Sequence, residues 1–232
     1  MTREELTQQH WQYYLLLERR FLETIDYVGL HKSNFGSFSD TYAMLMQAIG
    51  AELDTAFKIY CGFAKTDRKT IAVYVKSIDT EESDADSDSH AKKHPFRQQI
   101  IYLNAYNLMI QPFKDWDSNC PAQSLFWWDA FDKVKHNRID NKELANQENC
   151  LNMLGALYLL DMKMLKKIVE DSGAAKTNGV MLEADQADIF DKGSELFSLK
   201  DWTTIVPRGM EAMVFFEMLA NDGKSKYSLF DA

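Results

Sequence analysis

Apolar side chains recur every three or four residues over most of the first 170 positions, which is the period of helices that bury one face. Residues 3–28 carry Trp11, Tyr14, Leu15, Leu22, Ile25 and Val28 on one stripe, with Phe21 beside it, and predict a first helix. Glu18, Arg19 and Arg20 interrupt that stripe and read as a solvated face whose long stems lie over apolar surface. Gly29 and the polar run 34–39 end the helix, and Ser37 and Ser39 are suitable N-caps for the next. Over 40–63, Tyr42, Leu45, Met46, Ile49, Leu53, Ala56 and Tyr60 repeat almost as a heptad, which implies packing on an antiparallel neighbour. Ile71, Tyr74, Val75 and Ile78 suit a short third helix over 70–78.

The pattern then breaks. Residues 79–96 are rich in Asp, Glu and Ser and nearly without apolar side chains, so they cannot bury enough surface to offset ordering and read as a mobile acidic loop. Residues 97–113 carry Ile100 to Leu103 and Leu108 to Ile110 on either side of the turn-prone Asn104, as a small β-hairpin would, with a helix as the rival. In 124–138, Trp127, Phe131 and Val134 form an apolar stripe with Trp128 beside it, and Asp129, Asp132, Lys133 and His136 lie opposite. The longest helix is expected over 142–171, where Cys150, Leu151, Leu154, Leu157, Tyr158, Met164 and Leu165 share a continuous face. Beyond it the pattern weakens to a turn at 175–180, extended pieces at 194–202 and 203–207, and a final helix at 207–221. The organisation expected is mainly α: a bundle domain over 1–172, and a C-terminal extension over 173–232 packed on it.

Composition narrows the chemistry. A chain of 232 residues that is 46% hydrophobic has enough apolar surface for a sizeable core. A net charge of -9 and pI near 5.1 argue against a broad nucleic-acid surface, because phosphate neutralisation calls for excess Lys and Arg, and leave only a local basic groove open to RNA. Cys61, Cys120 and Cys150 are odd in number and lack CxxC spacing, so they read as reduced, mostly buried small hydrophobes. No run approaches the length of a membrane helix, and the polar first ten residues hold no signal-peptide core, so a cytoplasmic protein without membrane contact is expected. Phosphate-loop, dinucleotide-binding, HExxH and GxSxG signatures are absent, and no metal or cofactor is expected.

The candidate site lies on the aromatic helix. His136 follows Asp132 by four residues, so a carboxylate within helical reach would orient its ring, and Lys135 and Arg138 flank it. Glu52 and Lys58 on the second helix are candidates to support this polar site, although Lys58 also stands four residues after Asp54, the spacing of a surface ion pair. The aromatic pair, Phe131-Asp132, Val134-Lys135-His136 and Arg138, together with the segments at 18–28, 51–61 and 151–162, resemble HEPN-like helical-bundle proteins of bacteria. That resemblance covers roughly residues 15 to 170 and implies an antiparallel HEPN-like bundle that pairs as a homodimer. Many members of the family cut RNA in toxin, antiphage or stress systems.

The active branch places an arginine ahead of its histidine with four to six residues between them. Asp129, Ala130 and Phe131 stand where that arginine would precede His136, and the pair at that separation, Arg3 and His10, opens the first helix and reads as chance. The expectation is therefore a HEPN-like, non-catalytic helical protein that acts through dimerisation or a protein partner, in phage defence or a toxin-antitoxin setting. The alternative is a metal-independent ribonuclease with a variant Lys-His-x-Arg site. There His136 would move a proton while Arg138 or Lys135 stabilised the phosphorane charge.

Overall fold

Thr2 starts the first helix with a capping box: its hydroxyl accepts from the Glu5 backbone N–H at 3.1 Å, and the Glu5 carboxylate accepts from the Thr2 N–H at 2.8 Å. The computed structural model describes residues 1–64, 66–84, 95–171, 180–183, 193–199 and 203–206. Most of these residues are helical, 63% of them, and a small antiparallel sheet of three strands completes the bundle. Helix α1 spans residues 3–25 as Arg3–Leu6, a π turn Thr7–Trp11, and Gln12–Ile25. The remaining helices are α2 (Asp40–Tyr60), α3 (Ile71–Asp84), the short α4 (Pro121–Ser124), α5 (Phe126–His136) and α6 (Gln147–Asp171). Ser39 caps α2, as its position suggested, by accepting from the Tyr42 N–H at 3.1 Å.

Helix α6 is the centre of the molecule. Every residue from Asn149 to Met162 is buried, and α6 packs on α1, α2 and α5. A helix that is apolar on all sides has to be covered on all sides, and the amphipathic helices around it do this. Helix α5 contributes the buried Trp127, Ala130, Phe131 and Val134. The Trp127 indole donates to the Pro112 carbonyl at 2.7 Å, which ties α5 to the connection after the hairpin. Phe113 meets Trp127 edge-on with centroids 5.7 Å apart, and Phe57 stacks on Tyr74 at 5.2 Å.

The hairpin over 97–113 forms, as β1 (Ile101–Leu103) and β2 (Met109–Ile110), with Ile101 opposite Ile110. The left-handed backbone falls on Ala105 (φ 61°) rather than on Asn104. Asn104 is used differently: its side-chain amide donates to the carbonyls of Glu195 and Phe197, and its N–H donates to Leu196. These bonds bring in β4 (Phe197–Ser198), antiparallel to β1. The strand labelled β3 (Val180–Glu183) pairs in full with β5 (Thr203–Val206). Extended structure at 197–198 and 203–206 matches expectation; β3 was not foreseen, and the helix expected over 207–221 lies outside the described residues.

Three expectations need correction. Helix α3 continues to Asp84, so the start of the acidic segment is helical; Arg97 donates to Asp79 at 2.6 Å and Lys167 to Glu81 at 2.9 Å. The remainder of that loop, 85–94, lies outside the described residues. Glu18 is not on a solvated face, because it is only 2% exposed. Its carboxylate accepts from the Tyr14 hydroxyl at 2.7 Å, the Glu195 N–H at 3.0 Å, the Leu196 N–H at 3.2 Å and the Ser194 hydroxyl. A buried carboxylate with this many donors is satisfied, and it holds the 194–197 segment to α1. Cys120, finally, is exposed; Cys61 is half-buried and Cys150 fully buried.

Gly50 sits where a Cβ would come within 2.3 Å of the Phe131 ring, whereas a Cβ on Gly155 would come within 2.5 Å of the tip of Ile110 and 3.4 Å of Ile101 and Pro112. Gly50→Ala is expected to lower stability by about 1–3 kcal/mol in urea unfolding, because the buried ring cannot step aside. Gly155→Ala should stay within about 1 kcal/mol of the parent, since the isoleucine tip can rotate and alanine favours the helix by about that amount. Glu18→Ala should cost more than about 3 kcal/mol, as it leaves buried donors on the 194–196 segment without an acceptor.

Candidate functional site

The residues of the Lys-His-x-Arg run face three separate partners. His136, on the last turn of α5, has Nε2 3.4 Å from the Asp132 carboxylate, with both side chains largely exposed. Lys135 lies with Nζ 5.7 Å from the centroid of the Phe131 ring. Arg138 falls beyond the end of α5 and donates to Asp40 at the start of α2, at 2.5 Å. Arg138 also lines a small cavity with Phe38, Asp40 and Lys142, and neither His136 nor Lys135 reaches it.

Glu52 and Lys58 do not turn toward α5. Lys58 donates to Asp54 at 2.6 Å, one turn earlier on the same helix, which is the ion pair its spacing suggested. The other oxygen of Asp54 accepts from the Tyr74 hydroxyl at 2.7 Å. Glu52 faces α1 instead, where its Oε1 lies 2.7 Å from Nδ1 of His10. His10 is 7% exposed and belongs to the π turn of α1. The wider π turn brings two consecutive residues, His10 and Trp11, into the interior, and such turns recur at functional sites. A cavity of about 220 Å³ opens beside this pair, lined by Gln9, His10, Glu52, Thr55, Lys58 and Ile59.

Asp161 lies close to the same pair on the buried side. It is 1% exposed, and neither carboxylate oxygen has a hydrogen-bond partner. Burial, and then the nearby Glu52 charge, pushes its carboxyl well above the usual carboxylate range and so favours the protonated form. Burial likewise raises the Cys150 thiol and the Tyr14 phenol, and pushes Cys61 up to about 11, so none of these is an activated nucleophile. Among the described residues, no group of three or more His, Cys, Asp or Glu is placed to hold a metal ion.

A third feature is larger and apolar. Helices α1 and α2 and the 27–39 connection border a groove of about 640 Å³ with Leu16, Leu17 and Leu45 in its walls. Four of the large apolar side chains that the molecule exposes stand around it: Tyr13, Tyr27 (89% exposed), Phe38 and Met44 (69% exposed). Among them lies the ion pair Arg20–Glu23 at 2.9 Å, both side chains about half exposed.

No family model, curated protein or solved structure matches the chain. No helix of the described residues is long and apolar enough to cross a membrane.

Periodicity did contain a sign of the His10 cluster. Leu6, His10 and Tyr14 are four residues apart and all buried, and Asp161 interrupts the apolar run 157–165. A polar residue at a core position is the informative exception. What pairs with it depends on which helix packs opposite, and spacing alone does not say.

The sign of the Asp161 shift fixes a pH dependence. Its carboxyl is protonated when folded and ionises near its ordinary value of 3.8 when unfolded, so the unfolded chain binds fewer protons above that pH. Its contribution is therefore fully present below about pH 4 and is lost as pH rises, at up to about 1.4 kcal/mol per pH unit. Asp161→Asn, which mimics the protonated form, should match the parent near pH 4 and be the more stable protein at pH 7, as judged from paired denaturant titrations.

Proposed function

We propose that this is a HEPN-like, non-catalytic helical protein that works by association, and that a second copy of the chain occupies the groove between α1 and α2. The observation that carries this reading is the exposed aromatic and methionine rim around an apolar groove, the composition expected of an interface core. The outer stripe of α1 is also complementary to itself. When two copies of α1 run antiparallel about an axis between positions 21 and 22, Arg20 stands opposite Glu23 of the second copy. The same register sets Leu16 opposite Tyr27. Both pairs then repeat on the other side of the axis, as a two-fold interface requires. The ion pair within one chain can thus be exchanged for two across the interface, with the apolar pairs at its flanks.

The phage-defence or toxin-antitoxin setting rests on the resemblance alone. A ribonuclease reading asks His136, Lys135 and Arg138 to meet one phosphodiester, and they engage Asp132, Phe131 and Asp40 instead.

Sedimentation equilibrium should find a dimer. Arg20→Glu sets glutamate against Glu23 twice and should weaken the dimer by at least about tenfold, while adding Glu23→Arg should restore it. A monomer at every concentration, or a charge reversal without effect, would sink the proposal. Incubation of the pure protein with mixed RNA in EDTA should leave the RNA intact; cleavage that disappears in a folded His136→Ala variant would revive the enzyme.

A further inference from the structure

The cavity beside His10 has a chemistry of its own, independent of the groove. His10 Nδ1 lies 2.7 Å from Glu52 Oε1, and in the neutral ring a proton on Nδ1, donated to this oxygen, leaves the lone pair on Nε2. His10 is more than nine-tenths buried and Nε2 makes no hydrogen bond among the described residues, yet it is not among the buried polar atoms left without a partner. Its remaining solvent contact is therefore toward the cavity that His10 lines. The second oxygen of Glu52 is in the same position: it makes no hydrogen bond and is not sealed off. Gln9 and Thr55 add a side-chain amide and a hydroxyl to the walls.

The charges point the same way. Lys58, the one lysine or arginine of the lining, is paired with Asp54 and not with the Glu52 carboxylate. The uncommitted groups are a carboxylate oxygen and an imidazole lone pair, both acceptors. An anion placed here would meet them lone pair to lone pair. A group with several N–H donors and a positive charge would satisfy both in one step, and charge-assisted hydrogen bonds are the strong ones.

We propose that the His10–Glu52 cavity binds a small organic cation bearing N–H donors, an alkylammonium or alkylguanidinium group, with Glu52 as the charge partner and His10 Nε2 as the second acceptor. The volume suits the head of such a molecule, and the wall at Ile59 suits its first methylene. The π turn is the structural device behind the site: it turns His10 inward to meet Glu52 without displacing Trp11 from the core.

The test is NMR titration of the His10 ring resonances in the full chain with methylammonium chloride, methylguanidinium chloride and, at equal ionic strength, tetramethylammonium chloride. At least one of the first two should give a saturable shift, and tetramethylammonium, which has no N–H, should give none. Glu52→Gln keeps the shape and should weaken binding about tenfold. Thr55→Trp fills the cavity from its rim and leaves the His10–Glu52 side chains in place, and should abolish the shift in a protein that keeps the parent's circular dichroism spectrum. The absence of a saturable shift, an equal response to tetramethylammonium, or undiminished binding by the Thr55→Trp protein would each overturn the assignment.

Discussion

The structure depends on one requirement: α6 is buried around its whole circumference from position 149 to 162, mostly with apolar side chains besides Asn149, Asn152 and Asp161, and has to be kept from water on every side. Each fully buried leucine or methionine along it contributes about 1.5–3 kcal/mol, and the gain is realised only if helices surround it. Helices α1, α2 and α5 supply the walls, and the hairpin closes over Gly155, where Ile110 lies against the helix backbone. The close approach of α2 to α5 at Gly50 and Phe131 follows from the same requirement, because two amphipathic helices packed on one central helix also touch each other.

Polar groups caught in this interior behave according to the partners they find. Glu18 finds four donors, and a side chain that would be costly alone becomes the peg for the 194–197 segment. His10 and Glu52 find each other and leave one acceptor apiece facing a cavity. Asp161 finds no donor, and burial raises its carboxyl well above the ordinary value. These three outcomes, anchored, half-committed and unpaired, are graded by how many donors the opposing helix happens to offer. The half-committed pair is the one with chemistry left over.

The outer surface separates from the interior in the same way. His136 and Arg138 pair with carboxylates on exposed ground, where ion pairs are worth little, and Lys135 lies near the Phe131 ring. The apolar rim around the α1–α2 groove stays exposed because the inward faces of both helices are already taken by α6 and by each other. The apolar groove and the His10–Glu52 cavity thus lie at different stretches of the same helix pair, with α1 contributing its outer stripe to one and its π turn to the other.

Helix periods, the 97–113 hairpin, the Ser39 cap and the Lys58–Asp54 pair were legible in the chain, because each is set by neighbours a few residues apart. The burial of Glu18 was not, since its donors come from residues 194–196, and no local pattern links positions so far apart. Tryptophans make the aromatic helix stand out in the sequence, but the helix at the centre is α6, whose plainer leucines carry the pattern of burial on all sides. His10 and Glu52 met across 42 positions only when α1 packed on α2, and the π turn that aims the histidine has no signature in residue spacing. Local periodicity, set by the reach of one helical turn, was determined by the sequence alone; the pairing of lone polar residues in the core was decided by which faces the tertiary structure brought together.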